Sequence, residues 1–320
     1  MATNITLKHL QRTAAMLFFI VASLNAQSTR VTREFFLDNN GHKLHVTLRS
    51  AVKKGPSLPT VVFEGGLGGG AETWSGVIAQ LPRSLRVVTY DRPGMGKSES
   101  DGASPTPEHV ASVLHAALSR VASPPYILVG HSWGGPLIRA FAGLYSAEVA
   151  GLVFIDPTDF TETALGRDRY VFGPLGHASD GEVLRSRIEQ YFYTQAGDFA
   201  PAVQAEIDVS REARQNDFPS FSRLPMPSVP LVVLMTTRWP KDLLPDLTVP
   251  FDPAEYQSLL LNYRILSLSA FSRGVPEGTL VTTPNSGHYI QLDEPELVTW
   301  AIGRVIHLSG RRRSTVASEN

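Results

Sequence analysis

The sequence contains the stretch Tyr126-Ile127-Leu128-Val129-Gly130-His131-Ser132-Trp133-Gly134-Gly135-Pro136-Leu137-Ile138-Arg139. Its first four residues are apolar or aromatic and predict a short buried strand. The apolar periodicity after the Gly-x-Ser-x-Gly motif predicts a helix that begins just past Ser132. At such a strand-to-helix turn a strained backbone exposes the serine hydroxyl, and glycine at 130 and 134 avoids Cβ clashes. Ser132 is therefore a candidate nucleophile, and an ordinary tight turn is the alternative.

Backbone amides near this serine are candidates for binding an oxyanion. The helix after Ser132 directs free N–H groups and the positive end of its dipole toward the serine. Trp133 is one expected donor. Gly66 or Leu67, in the glycine-rich loop after the strand at 60–63, is the other, because missing side chains allow a close approach. Phosphate binding is the alternative role of this loop, but neither a Gly-Lys-Ser/Thr ending nor dinucleotide spacing follows.

Strands and helices alternate around this stretch. Continuous apolar runs separated by helical patterns predict a parallel sheet covered on both faces. The predicted strands are 31–37, 44–50, 60–63, 86–90, 126–129, 151–155, 231–235 and 279–283, and the first two are joined by a hairpin turn at Asp38-Asn39-Asn40-Gly41. The predicted helices are 73–81, 107–121, 181–199, 201–216, 254–268 and 295–307.

The pattern changes between Pro157 and Pro230, where helices but no strand are visible. We predict a helical cap inserted at about 157–228. Its helices carry Tyr191, Phe192, Tyr193 and Phe199, which indicate a partly apolar substrate.

Composition narrows the class of protein. A chain of 320 residues with 42% hydrophobic and 18% charged residues can bury a large core, as one domain with an insertion or as two domains. The net charge is −1, and the only basic run, Arg311-Arg312-Arg313, lies in a polar tail (309–320) predicted to be solvated and partly disordered. Nothing in this balance indicates a nucleic-acid partner.

Residues 1–26 resemble a secretory signal peptide. Lys8 and Arg12 precede an eleven-residue apolar run at 14–24, and Ala26 is a plausible cleavage point. Eleven residues are too few for a stable membrane span, although an uncleaved anchor is an alternative. We therefore expect a secreted or periplasmic protein with a mature domain at 27–320. The chain has no cysteine, which excludes disulfides, thiol catalysis and cysteine-ligated metals.

A serine hydroxyl needs a base, and imidazole is the usual one. Among nine histidines, His288 follows the last predicted strand, where its side chain can fold over the carboxyl edge of the sheet. His177 and His307 are expected on the surface. His131 adjoins the serine but is expected to point the opposite way and pack under the sheet.

The imidazole in turn needs an acid that fixes its tautomer. Asp156 directly ends the strand after the serine turn, where it is held rigidly, and we favour it. Asp242 follows the next strand in a proline-broken loop and is the alternative, with Asp246 less favoured.

Four motifs resemble the α/β-hydrolase superfamily in order and spacing over about 31–308. They are Glu64-Gly65-Gly66-Leu67-Gly68, Asp91-Arg92-Pro93-Gly94-x-Gly-x-Ser98, the serine turn, and Gly287-His288-Tyr289-Ile290-Gln291-Leu292. The resemblance implies an α/β-hydrolase fold with a mostly parallel eight-stranded sheet, helices on both faces and a helical lid between strands six and seven. It also implies a Ser–acid–His triad that needs neither a metal nor an organic cofactor.

The chain departs from the superfamily pattern at two places. Glu64-Gly65 replaces the frequent His-Gly, so a buried Glu64 would need hydrogen-bond partners of its own. The usual Gly-x-x-Asp after strand seven is missing, which strengthens Asp156, since some members take their acid from the end of strand six. A serine nucleophile, rather than an aspartate, argues against epoxide hydrolase or haloalkane dehalogenase chemistry.

These observations predict a serine hydrolase that cleaves a carboxylic ester or similar acyl bond of a small, partly apolar substrate. A C–C bond hydrolase, an amidase and a cofactor-free haloperoxidase or perhydrolase would use the same triad. A ligand-binding receptor on this fold is the non-enzymatic alternative.

Overall fold

The computed structural model describes residues 30–51, 58–195, 199–238, 244 and 247–319. The predicted signal peptide (1–26) lies outside these residues, as do the alternative acids Asp242 and Asp246. The signal peptide and the export that it implies therefore stay predictions.

Eight strands form one sheet in the order β1-β2-β4-β3-β5-β6-β7-β8. They are β1 (Arg30–Asn39), β2 (His42–Ala51), β3 (Thr60–Glu64), β4 (Val87–Tyr90), β5 (Tyr126–His131), β6 (Val149–Ile155), β7 (Leu231–Thr236) and β8 (Thr279–Thr283). Strand β2 is antiparallel to β1 and β4, and every other pair is parallel. The predicted α/β-hydrolase fold with a mostly parallel sheet is confirmed.

The hairpin between β1 and β2 closes at Asn40 and Gly41, which both have positive φ, 52° and 87°. Two positive φ angles in a two-residue turn match the right-handed twist of the flanking strands, and Asn-Gly is the pair that adopts them at least cost. The turn sets the register, so that Asn39 pairs with His42 and Leu37 with Leu44.

Nine helices and several single turns connect the strands in the part of the chain that the structure describes. The helices are α1 (Ser75–Gln80), α2 (Pro107–Val121), α3 (Gly134–Leu144), α4 (Ala164–Arg167), α5 (Gly181–Gln195), α6 (Pro201–Gln215), α7 (Pro253–Arg273), α8 (Ile290–Asp293) and α9 (Pro295–Glu319). Within these bounds no helix combines the length and the hydropathy that a bilayer span requires.

Alternate residues of the buried strands belong to two hydrophobic clusters, one on each face of the sheet. Leu128 and Leu152 join side chains of α2, α3 and α7 in one cluster. Val129 and Val153 join side chains of α1 and α9 in the other. The two-residue period of a strand sends successive side chains to opposite faces, which explains why these strands are apolar throughout.

The described residues between β6 and β7 form helices and single turns but no strand. A third cluster fills this region, where Phe172 and Ile188 pack with Leu244, Tyr256 and others. Because Tyr256 lies on α7, the inserted helices share their small core with a helix that follows β7. We call residues 157–228 the inserted segment.

The end of the chain differs from the prediction. Residues 309–320 are predicted to form a solvated, partly disordered tail, but α9 continues to Glu319. Arg311 and Arg312 form ion pairs with Glu277, at 3.1 and 2.8 Å, on the turn before β8. Glu277 lies 34 positions before Arg311, so this contact could not be read from the local composition of the tail.

Candidate active site

Ser132 lies between β5 and α3 with a φ of 52°, a left-handed conformation that non-glycine residues rarely adopt. Its N–H donates to the carbonyl oxygen of Ile155 (3.0 Å), and its own carbonyl accepts from the N–H of Thr158 (2.9 Å). A Cβ on Gly134 would lie 2.5 Å from the carbonyl oxygen of Glu64, so only glycine fits there. The strained turn and its close packing thus match the predicted geometry.

Ser132, His288 and Asp156 are brought together from three distant parts of the chain. Nε2 of His288 lies 2.9 Å from Oγ of Ser132, and Nδ1 of His288 lies 2.6 Å from Oδ2 of Asp156. Asp156 is buried, whereas the His288 side chain is 48% exposed. The imidazole therefore bridges a buried carboxylate and a hydroxyl at the surface of a pocket.

Asp156 is held by groups from two further elements. The N–H of Thr236 donates to its Oδ1 (3.2 Å), and Nη2 of Arg264 on α7 lies 3.3 Å from the same oxygen. Burial alone would raise the pKa of Asp156, but Arg264 and the hydrogen bonds from His288 and Thr236 outweigh burial and hold the pKa below its ordinary value. The carboxylate is therefore ionised at neutral pH.

The loop that carries His288 is anchored at several points. The N–H of Gly287 donates to Asp293 (2.8 Å), and the hydroxyl of Thr236 donates to the carbonyl oxygen of Ser286 (2.6 Å). Glu294 accepts hydrogen bonds from Ser286 and from Thr283 at the end of β8. These contacts fix where His288 enters the pocket.

His131 lies against the site rather than under the sheet, contrary to the prediction. Its Nε2 lies 2.9 Å from the carbonyl oxygen of His288, and the two imidazole centroids are 4.7 Å apart. A carbonyl oxygen can only accept, so Nε2 carries the proton. Burial and the neighbouring His288 lower the pKa of His131 to about 3. His131 therefore supports the backbone of His288 as a neutral imidazole.

This depressed pKa predicts a specific acid sensitivity. A histidine whose pKa falls from 6.5 to about 3 on folding contributes stability that is complete above pH 6.5 and is lost as the pH falls toward 3. Between pH 7 and pH 5 the free energy of unfolding should fall by about 2 kcal/mol because of His131. Glutamine does not titrate, so His131→Gln should lack this pH-dependent part of the stability. The urea midpoint of the variant should therefore change less than that of the wild type between pH 7 and pH 5. Parallel curves for the two proteins would contradict the buried neutral state.

The glycine-rich loop lies directly beside Ser132. A Cβ on Gly66 would lie 3.2 Å from Cβ of Ser132 and 2.9 Å from Nδ1 of His131. Trp133 is buried and precedes the first turn of α3. The loop thus approaches Ser132 at Gly66, and the backbone amides of Trp133, Gly66 and Leu67 remain the candidate oxyanion donors.

Glu64 has the partners that a buried carboxylate needs. Nη1 of Arg92 donates to one of its oxygens (2.7 Å), and the hydroxyl of Tyr90 donates to the other (2.6 Å). Burial nevertheless raises the pKa of Glu64 above its ordinary value, since Arg92 and Tyr90 offset only part of the cost of desolvation.

A pocket of about 890 Å³ opens at Ser132 and His288. Half of its described lining residues are acidic or basic: Asp156, Asp159, Glu162, Arg214, Arg238, Arg264 and Asp293. Only Pro157 and Leu260 contribute apolar side chains there. Of the four aromatic residues on which the predicted apolar preference rested, Tyr191 and Phe199 are not among these lining residues, and the side chains of Phe192 and Tyr193 lie outside the described part of the chain.

Of the seven acidic and basic residues named in this lining, sequence reasoning singled out only Asp156, and Arg264 and Glu162 are two of those that it missed. Arg264, in the middle of α7, contacts Asp156 across 108 positions of sequence. Glu162 lies near Asp159, and burial together with this neighbouring acid raises the pKa of Glu162 to about 7. Neither residue belongs to a local motif, so no sequence signal pointed to them.

Comparison with known proteins identifies the class. A model described as the alpha/beta hydrolase family matches residues 61–299, and the chain belongs to this family. An AB hydrolase superfamily protein from Gibberella zeae is 24% identical, in an alignment that covers 83% of this chain and 92% of that protein.

Other matches are partial or concern the fold alone. The uncharacterized protein YqjL of Bacillus subtilis is 35% identical over 33% of this chain, and the match spans 42% of YqjL, less than half its length. The crystal structure of a probable hydrolytic enzyme from Pseudomonas aeruginosa has a TM-score of 0.51 at 23% identity, covering 86% of this chain and 93% of that one.

Proposed function

We propose that this protein is a serine hydrolase that cleaves carboxylic ester bonds of small-molecule substrates through an acyl-enzyme. The observation that carries the proposal is the continuous hydrogen-bonded path from Oγ of Ser132 through His288 to Asp156. Such a path activates a hydroxyl because the base that takes its proton is held in place by a third group.

In the proposed mechanism each group has one step. With Nδ1–H of His288 donating to Asp156, Nε2 is free to accept the proton of Ser132 as Oγ attacks the ester carbonyl carbon. The amides of Trp133 and of Gly66 or Leu67 receive the resulting oxyanion. His288 then protonates the departing alkoxide, which leaves an ester on Ser132. In the second half, His288 deprotonates a water that attacks this ester, and it returns the proton to Oγ.

The charged side chains of the described lining support a substrate that carries polar or charged groups. Arginine and carboxylate side chains lose hydration when a long alkyl chain covers them, which opposes binding. A short ester with polar or charged groups can instead form hydrogen bonds with these side chains. We therefore propose that, within the class of small, partly apolar esters, the protein prefers those with short acyl chains.

A substrate panel tests this proposal. We expect kcat/KM for p-nitrophenyl acetate and butyrate to exceed that for the octanoate at least about tenfold, since uncompensated burial of charged groups costs more than 1.4 kcal/mol. A fluorophosphonate probe should label Ser132. Faster cleavage of anilides or of C–C bonds, or peroxide-dependent halogenation, would assign another reaction to the same residues. Failure of labelling and of all turnover would favour a binding protein.

A further inference from the structure

Helix α6 of the inserted segment packs on two loops at the edge of the sheet. A Cβ on Gly68, in the loop after β3, would lie 3.1 Å from a methyl group of Val203. A Cβ on Gly94, in the loop after β4, would lie 2.6 Å from Cβ of Ala202. The first turn of α6 therefore contacts the backbone of both loops directly. We call residues 64–70 the oxyanion loop.

Arg92 joins these parts through a buried ion network. Its Nε and Nη2 donate to the two carboxylate oxygens of Glu206 on α6, at 2.5 and 2.9 Å. Its Nη1 donates to Glu64 at 2.7 Å. All three side chains are at most 2% exposed. Buried opposite charges are stable only while both partners are present, because removal of one partner leaves the other as an uncompensated buried charge.

The same guanidinium holds two peptide groups of the oxyanion loop. Nη1 of Arg92 donates to the carbonyl oxygen of Gly65 (3.0 Å), and Nη2 donates to that of Gly66 (2.6 Å). In a trans peptide the C=O and N–H bonds point in opposite directions. Fixing these two carbonyls therefore fixes the N–H groups of Gly66 and Leu67, the two candidate oxyanion donors. Glu206 also accepts from the N–H of Gly68, at 2.9 Å.

We propose that Arg92 is a positioning residue that orients the oxyanion donors, and that Glu206 holds Arg92 in place, so that the oxyanion site is complete only when α6 is docked on the oxyanion loop. This inference rests on the proposed ester hydrolysis and extends it. The inserted segment thereby contributes to transition-state binding without touching the substrate.

The test separates orientation of the donors from loss of folding. The variants are Arg92→Met, Arg92→Lys and Glu206→Gln, with Arg185→Met as the control. Arg185 is a buried arginine of α5 that pairs with Glu182 and Glu189, within its own helix. Measurements are kcat and KM for p-nitrophenyl butyrate, inhibition by butylboronic acid, and the thermal midpoint. The boronate forms a tetrahedral adduct with Ser132 that places an oxygen in the oxyanion site.

We expect Arg92→Met to lower kcat about 100-fold and Glu206→Gln about 10-fold, somewhat less than direct removal of a donor, with KM changed less than threefold. Boronate inhibition should weaken in parallel, because the boronate resembles the transition state. Arg92→Lys should not restore kcat. A single ammonium group lacks the planar array of N–H donors with which the guanidinium binds two carbonyl oxygens and a carboxylate at once. Glu206→Gln removes the charge of the side chain but keeps its shape. This variant therefore tests the proposal on its own if Arg92→Met does not fold.

The proposal is overturned if Glu206→Gln and the folded Arg92 variants keep wild-type kcat and boronate affinity. It is also overturned if Arg92→Lys restores both values, because charge alone would then suffice. An equal loss in Arg185→Met would show that general loosening of the inserted segment is the cause. In each of these cases the wild type still hydrolyses esters, so the proposed function stands. An inactive wild type would remove the proposed function itself.

Discussion

Ser132→Ala is expected to lower kcat for p-nitrophenyl butyrate by about 10⁴- to 10⁶-fold, the range found when a triad nucleophile is removed. The variant keeps the oxyanion site and the pocket, so it loses the covalent step but not the binding of substrate. KM should change little, and the fluorophosphonate label should disappear. The hydroxyl donates no structural hydrogen bond beyond that to His288 among the described residues, so the thermal midpoint should be nearly unchanged.

Ser119→Ala is a matched control, because Ser119 is an exposed serine on α2 and lies outside the Gly-x-Ser-x-Gly motif. It should keep wild-type activity and labelling. Activity of Ser132→Ala within tenfold of the wild type would refute the nucleophile. In that case the geometry at Ser132 would describe a binding site on an α/β-hydrolase fold.

Asp156→Asn is expected to lower kcat by about 10³- to 10⁴-fold, because an amide can present its N–H₂ to Nδ1 and so stabilise the wrong imidazole tautomer. The change also leaves Arg264 without its carboxylate partner at 3.3 Å. The thermal midpoint must therefore be measured beside the kinetics. The pKa of Asp156 lies below its ordinary value, so the wild-type carboxylate stays ionised through the assay range, and no pH dependence of kcat between pH 6 and pH 8 should come from titration of this group.

Two further variants decide whether Asp156 is the acid. Asp159→Asn is the matched control, since Asp159 lines the same pocket and accepts hydrogen bonds from Thr161 and Ser267 instead of from His288. It should retain kcat within about tenfold, as expected for a group that holds no triad member. Asp242→Asn examines the alternative acid. If it abolished turnover while Asp156→Asn did not, our assignment of the acid would be wrong.

Much of the architecture was predictable because its causes are local. Continuous apolar runs between helical periods indicated a parallel sheet, and Asn40-Gly41 indicated the hairpin through its positive φ angles. The motif around Ser132 indicated the strained turn, and the position of His288 after the last strand indicated the edge on which it lies. Parallel strands bring their carboxyl ends to one edge, so order along the chain was enough to place Ser132, Asp156 and His288 near each other.

Other features could not be predicted, because they depend on contacts between residues far apart in sequence. His131 was assigned to the wrong side because its carbonyl partner belongs to the loop of His288, 157 positions away. The charged lining of the pocket depends on how α7 and the inserted segment approach β6. Their helical patterns predict that the helices exist, but not which face turns toward the serine.

The sequence by itself determined the α/β-hydrolase fold and the chemical identity of the candidate residues at the carboxyl edge of its sheet, since strand periodicity and turn geometry act over a few residues. Only the tertiary structure decided that Arg264 contacts Asp156 and that Arg92 joins Glu206 to the oxyanion loop, across 108 and 114 positions. Buried charges are stable only where opposite charges and hydrogen-bond partners meet them. Those partners are set by the packing of whole elements, which no local pattern records.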